Sequence, residues 1–265
     1  MTIDSKYIDV DFEVEESEDQ PLGLIPESDD EIMMAAGELQ GFEEAYPKLM
    51  VPKAKRKEMA EEKWPQQRKT VVNIVSQGRT SSCVGFGSAQ ALEVTRTRRY
   101  GVKNYVQLSG MSVYKSIGRT LMSGAMISDG MKQIVNVGAL PLSNAENDAE
   151  FDLTWDIIDW SRRYPRGWQE HAAPFRVSKW ATARGDDEIE SAMLNDFCGI
   201  VGRSRHCVPY IGMTHSGRSP VIPYGNSWSK NWGDGGIGYD SQRVYRNLTL
   251  YLILEIVSNV EFPEL

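Results

Sequence analysis

A chain of 265 residues, 41% hydrophobic and 25% charged, can hold one large domain or two small ones around a sizeable core. It has no run of about 18 apolar residues, which excludes a helical membrane span, and its three cysteines exclude a disulfide framework. The net charge of −8 is uneven: residues 1–44 carry 15 Asp or Glu against one Lys, a net of −14, which leaves the body at +6.

The start, M-T-I-D-S-K-Y-I-D-V-D, lacks the basic beginning and apolar core of a secretory signal. With an odd cysteine count, reduced thiols inside a cell are expected. Residues 1–47 read as an acidic N-terminal arm with turn signals at Pro21-Leu22-Gly23 and Pro26. Such an arm is either a solvated tail or a strap lying across the basic body or a basic partner. Residues 29–42 can start a short helix, their acids suiting a helix N-terminus. Residues 48–69 form a charged connector, predicted helical over 53–63, and the main domain is expected to span 70–265. Helices are predicted from Cys83 to the basic residues before Gly101, then over 108–119, 128–136 and 186–195. From Gly199 the texture turns to strand-like runs: G-I-V-G, H-C-V-P-Y-I-G-M, S-P-V-I-P-Y-G-N and L-T-L-Y-L-I-L-E-I-V. Helices first and strands later predict an α+β protein with a helical half and a β half.

Residues 77–86, Q-G-R-T-S-S-C-V-G-F, place Cys83 after two serines suited to capping a helix N-terminus. In the first turn of that helix, the dipole and free N–H groups favour a thiolate. Gly85 and Gly87 each cost roughly 1 kcal/mol in a helix relative to Ala, so something must approach it closely. Against this stands the plain alternative of an inert core cysteine. A nucleophilic thiolate needs a base. Of three histidines, His171 precedes a proline-bearing loop, His215 sits at a turn, and His206 opens an apolar strand. If the hairpin after it centres near Ser216, His206 lies opposite Asn226, whose side chain could hold the ring. Cys83, His206 and Asn226 would then be nucleophile, base and orienter.

These residues resemble the papain-like cysteine peptidases. Gln77, Cys83, His206 and Asn226 match the family's glutamine, cysteine, histidine and asparagine in order. The six-residue gap from glutamine to cysteine also matches, as does N-S-W followed by N-W-G-D-G-G-I-G-Y. The stretch beginning S-G-A-M (123–126) resembles a block of bacterial-type members whose glycine, here Gly124, borders the substrate cleft. The resemblance covers about residues 70–245 and implies a two-lobed fold: a helical lobe with the nucleophile helix and a β-rich lobe with the His/Asn hairpin. It also implies a thiol peptidase acting on peptides or proteins. Gln77 and the Cys83 N–H would form the oxyanion hole, Trp228 would shield the His206–Asn226 bond, and Trp232 would line the leaving-group side of the cleft.

Some positions depart from the pattern. Val84 replaces a usual Trp, Ser229 a usual Gly, and the disulfide cysteines are absent, as in bacterial or viral members of a reducing compartment. Cys198 and Cys207 are expected to be buried small hydrophobes. The acidic arm either occludes the cleft or anchors the chain to a partner protein. No metal, other cofactor, nucleic acid or membrane is expected. Two alternatives share the same residues: acyl transfer to an amine, and a papain-like fold retained as an interaction component of a larger particle.

Overall fold

The computed structural model describes residues 8–9, 23–28, 30–32, 41–118, 120–142, 164 and 166–257. Most of the helix anticipated over 29–42 lies outside them.

The eight α-helices with described bounds, in chain order, are α1 (Phe42–Ala45), α2 (Lys53–Lys69), α3 (Cys83–Tyr100), α4 (Gly110–Ile117), α5 (Ile127–Asn136), α6 (Trp168–Ala172), α7 (Gly185–Leu194) and α8 (Gln242–Tyr245). The strands are β1 (Ile8–Asp9), β2 (Val177–Arg184), β3 (Cys198–Arg203), β4 (His206–Tyr210), β5 (Thr214–Ser216), β6 (Ser219–Gly225), β7 (Ile237–Ser241) and β8 (Thr249–Ile256). They form one sheet in the order β1-β7-β6-β4-β3-β8-β2, with β5 paired to β6. Every pairing is antiparallel except that of the short β1 with β7. None of the described helices is long and apolar enough to cross a membrane.

Helix α3 is the spine of the molecule. Its residues Cys83 to Val94 are all buried, and it packs on α4 and α5 on one side and on β3 and β4 on the other. The two glycines of its first turns explain how it fits. A Cβ on Gly85 would lie 2.7 Å from Tyr114 Cβ on α4, and one on Gly87 would lie 3.2 Å from Cys207 Sγ on β4. The helix closes on Gly101, at φ +88°, a conformation glycine adopts at no steric cost.

One apolar cluster gathers α3, α4, α5 and the sheet residues facing them, including Leu92, Met111, Ile134 and Ile200. A second fills the β half with Val201, Val208, Ile222 and Leu252, and it also takes in Phe42, Val51 and Ala60. The connector is therefore packed into the body. Arg56 lies 2.9 Å from Glu190 on α7, with both side chains buried, and Gln67 donates to the Met193 carbonyl at 2.7 Å. Helix α2 runs through Pro65 to Lys69, beyond the predicted end at residue 63.

Candidate active site

Cys83 is the first residue of α3, as its spacing predicts, and is fully buried. Ser82 occupies the cap position, but its side chain makes no capping hydrogen bond; its hydroxyl pairs with Thr80 Oγ1 at 2.5 Å. The expected serine cap is absent, and the bare backbone N–H groups of Cys83 and Val84 face the sulfur together with those of Gly23 and Cys207. All four pull the thiol pKa down, Cys83 and Val84 as a helix N-terminus should. Burial outweighs them and pushes it up to about 11.

Part of the cover comes from the arm. Gly23 accepts the Ala125 N–H at 2.9 Å, Ile25 donates to the Ala125 carbonyl at 2.9 Å, and Leu24 donates to the Arg205 carbonyl at 2.8 Å. These bonds lay Leu24 parallel to Ala125, the neighbour of Gly124. Gly124, predicted to border the cleft, has φ +71°, and a Cβ there would lie 2.5 Å from the Gly23 carbonyl oxygen. The Leu24 side chain points at Gly202, where a Cβ would lie 2.7 Å from Leu24 Cδ2 and 3.4 Å from Ile127 Cδ1. Glu27 continues the strap. Its carboxylate accepts the Ser128 N–H at the start of α5 at 3.1 Å and the Tyr251 hydroxyl at 3.4 Å.

His206 opens β4, and its Nε2 lies 3.0 Å from Asn226 Oδ1. The register differs from direct opposition. The β5–β6 turn pairs Ser216 with Ser219, and β4 meets β6 through Tyr210 and Tyr224, so His206 and Asn226 are offset by two positions. Diagonal neighbours on a sheet are close enough for long side chains to meet. Nδ1 has no hydrogen-bond partner among the described residues. Burial lowers the imidazole pKa to about 4, with the Asn226 hydrogen bond opposing and the Arg203 charge reinforcing the fall. The Trp228 ring stacks on His206 at 4.8 Å between centroids, and half-buried Trp232 meets Trp228 edge-on at 5.7 Å.

Gln77 is tied to the same segment. Its N–H donates to the Ser227 carbonyl at 2.8 Å, its Oε1 accepts from Ser227 Oγ at 2.5 Å, and its Nε2 donates to the Thr80 carbonyl at 2.6 Å. Ser229 holds φ +119°, the left-handed region that favours glycine. This is the position where the resemblance leads one to expect Gly.

The remaining cysteines lie in the core. Cys198 donates its S–H to the Tyr210 carbonyl at 3.0 Å, and Cys207 turns to the opposite face from His206, toward Gly87. His171 lies on α6 and His215 on β5. Among the described residues, no group of His, Cys, Asp and Glu is arranged to hold a metal.

No family model and no curated relative matches the chain. Solved structures do. Xylellain, a cysteine protease from Xylella fastidiosa, superposes with a TM-score of 0.60 at 16% identity, over 92% of this chain and 100% of its own. A digestive procathepsin L2 proteinase from the larval midgut of Tenebrio molitor gives 0.56 at 16% identity, over 72% and 67%. A procathepsin B from Trypanosoma congolense gives 0.51 at 12%, over 90% and 83%. The fold is that of the papain-like cysteine proteases, a two-lobed α+β architecture.

Proposed function

We propose that the chain is a thiol peptidase held in a latent state by its own arm. The observation that carries this is the hydrogen-bonded His206–Asn226 pair on the strand whose next residue, Cys207, offers its N–H to the sulfur at the head of α3. Cys83 attacks the scissile carbonyl. The Gln77 amide and the Cys83 N–H stabilise the oxyanion, which develops only in the transition state. His206, oriented by Asn226, protonates the leaving amine and then activates water for hydrolysis of the thioester. Trp228 keeps solvent from the His206–Asn226 bond.

Latency follows from the pKa order. A thiol at about 11 and an imidazole at about 4 are both neutral near pH 7, which leaves no nucleophilic thiolate. Burial is the main cause of both shifts, and Gly23 and Leu24 supply part of the cover. Their removal reopens the sulfur to water and leaves the helix N–H groups to favour the thiolate.

The test is hydrolysis of a mixed peptide library by the chain lacking residues 1–40. Cleavage is expected there, absent in its Cys83→Ala and His206→Ala forms and reduced about 10²–10³-fold in Gln77→Ala. Cleavage that survives Cys83→Ala would overturn the assignment. Equal cleavage with and without the arm would make the arm an anchor or a tail.

A further inference from the structure

Behind the His206–Asn226 pair lies a buried charge pair that the proposed chemistry does not use. Arg203 Nη2 lies 3.0 Å from Asp240 Oδ1, with side-chain exposures of only 3% and 0%. The Tyr210 hydroxyl donates to Asp240 Oδ2 at 2.6 Å, and the Arg203 guanidinium stands 4.6 Å over the Tyr224 ring. Four strands contribute, β3, β4, β6 and β7, and each residue has a direct tie to the catalytic hairpin. Arg203 is the cross-strand partner of His206, so both side chains leave the same face of the sheet. Tyr224 precedes Asn226 by two residues and packs on Trp232 at 6.0 Å. Trp232 meets Trp228, which stacks on His206. The pair thus closes a ring of contacts around the base.

Burying two charges costs more than burying apolar side chains of the same size, and such a pair is weak evidence for stability. Its position gives it another use. We infer that Arg203, balanced by Asp240, is a positioning residue for His206: it fixes the hairpin behind the ring and, through its charge, adds to the bias that burial already sets against the imidazolium. This rests on the reading of His206 as the base. The groups tied to His206 are Arg203, its cross-strand partner on β3, and the neutral Asn226 and Trp228 beyond β6; the Cys83 thiol on α3 lies against the backbone of Cys207, the next residue of β4. Asp240 on β7 stands behind Arg203, and Glu27 of the arm bonds Ser128 and Tyr251. Arg203 is therefore the only cation among the described groups arranged around the ring, and a like charge disfavours imidazolium.

The experiment is an NMR titration of the three histidines in the full chain and three variants. Arg203→Met should raise the His206 midpoint by about half a pH unit or more, the size expected of a unit charge a few ångströms away at a partly screened site. Asp240→Asn, which unbalances Arg203, should lower it, and Arg203→Lys should keep it near the wild-type value. Arg203→Met/Asp240→Asn leaves no orphaned charge; it guards against a single variant that fails to fold, and it too should raise the midpoint. An unmoved His206 midpoint in folded variants, with only the melting temperature falling, would overturn the inference and make the pair structural. The titration needs no turnover, so the two claims fail separately. A moved midpoint in a chain that cleaves nothing sinks the peptidase reading alone, and an unmoved one in an active chain sinks the inference alone.

Discussion

At the scale of single residues, polar groups in this molecule are set by what buries them. Glu93, ten residues after Cys83 on the same helix, is 4% exposed. It accepts the Leu108 N–H at 2.6 Å and the Tyr105 hydroxyl at 3.2 Å. Burial nevertheless raises its pKa to about 8. In this window the folded chain holds a proton that the unfolded chain has released, so stability falls as pH rises from the ordinary carboxylate range toward 8. The His206 imidazole, depressed to about 4, acts in the opposite direction but only below its ordinary value of 6.5. Between pH 6.5 and 8 Glu93 therefore dominates, at about 2 kcal/mol across the interval. Glu93→Gln keeps an acceptor for Leu108 and should flatten denaturant-measured stability across that interval, with the variant the more stable at pH 8. An unchanged slope would show that Glu93 stays ionised. Nothing in the sequence marks this residue, because a helical Glu reads as solvated until its surroundings are known. Cys83, His206, Asn226 and Gln77 could be singled out in the sequence because few residue types can supply the chemistry proposed for them and their spacing is distinctive.

At the scale of elements, α2 shows why the boundary of the body was hard to read. K-A-K-R-K-E-M-A-E-E-K looks like a solvated linker helix, and Pro65 looks like its end. The helix persists because the body grips it along its length. Arg56 bonds Glu190 and the Val51 carbonyl, Trp64 is buried, and Arg68 bonds Asp234 at 2.7 Å. Glu190 also accepts the Tyr245 hydroxyl at 2.6 Å, so Arg56→Ala would leave a buried carboxylate short of its cation. The expected loss in a denaturation experiment is about 3–5 kcal/mol; a loss below about 1 kcal/mol, the range of exposed pairs, would mean that α2 is held elsewhere. The detachable part of the N-terminal region accordingly ends before Phe42, which is fully buried in the β-half core. A cut at residue 65 would remove Phe42, Arg56, Ala60 and Trp64 and unfold the chain, whereas a cut at residue 40 leaves them in place. Strands β3, β4, β6 and β8 were easier to anticipate, since they carry apolar runs, whereas β2 (V-S-K-W-A-T-A-R), β5 and β7 were missed because polar residues interrupt them. β1 was missed too, since two residues of an acidic arm carry no period.

At the scale of the whole molecule, the N-terminal arm is tied to the body at several described places, with Glu27 bonded to Ser128 and Tyr251 and Phe42 buried in the β-half core. Ile8–Asp9 adds a parallel strand to β7, Gly23–Ile25 crosses the head of α3, and Gly41 bridges Thr182 on β2. The arm's charge of −14 against +6 for the body predicts electrostatic attachment, but at the cleft the described contacts are backbone hydrogen bonds and one leucine in an apolar site. Only Glu27 there is charged. This is a strap set by shape, which the sequence hides because its effective residues, Gly23 and Leu24, are unremarkable. The central claim is that this strap, by covering Cys83, is what keeps the thiol unreactive. The most direct measurement is the rate at which a thiol-directed epoxide labels each cysteine, followed by mass spectrometry, in the full chain and in the chain lacking residues 1–40. Cys83 should be labelled slowly in the full chain and at least about tenfold faster after truncation, the factor that each pKa unit of relief gives in thiolate population, while Cys198 and Cys207 stay unlabelled in both. Equal rates at Cys83 in the two chains, or label spread over all three cysteines, would contradict it.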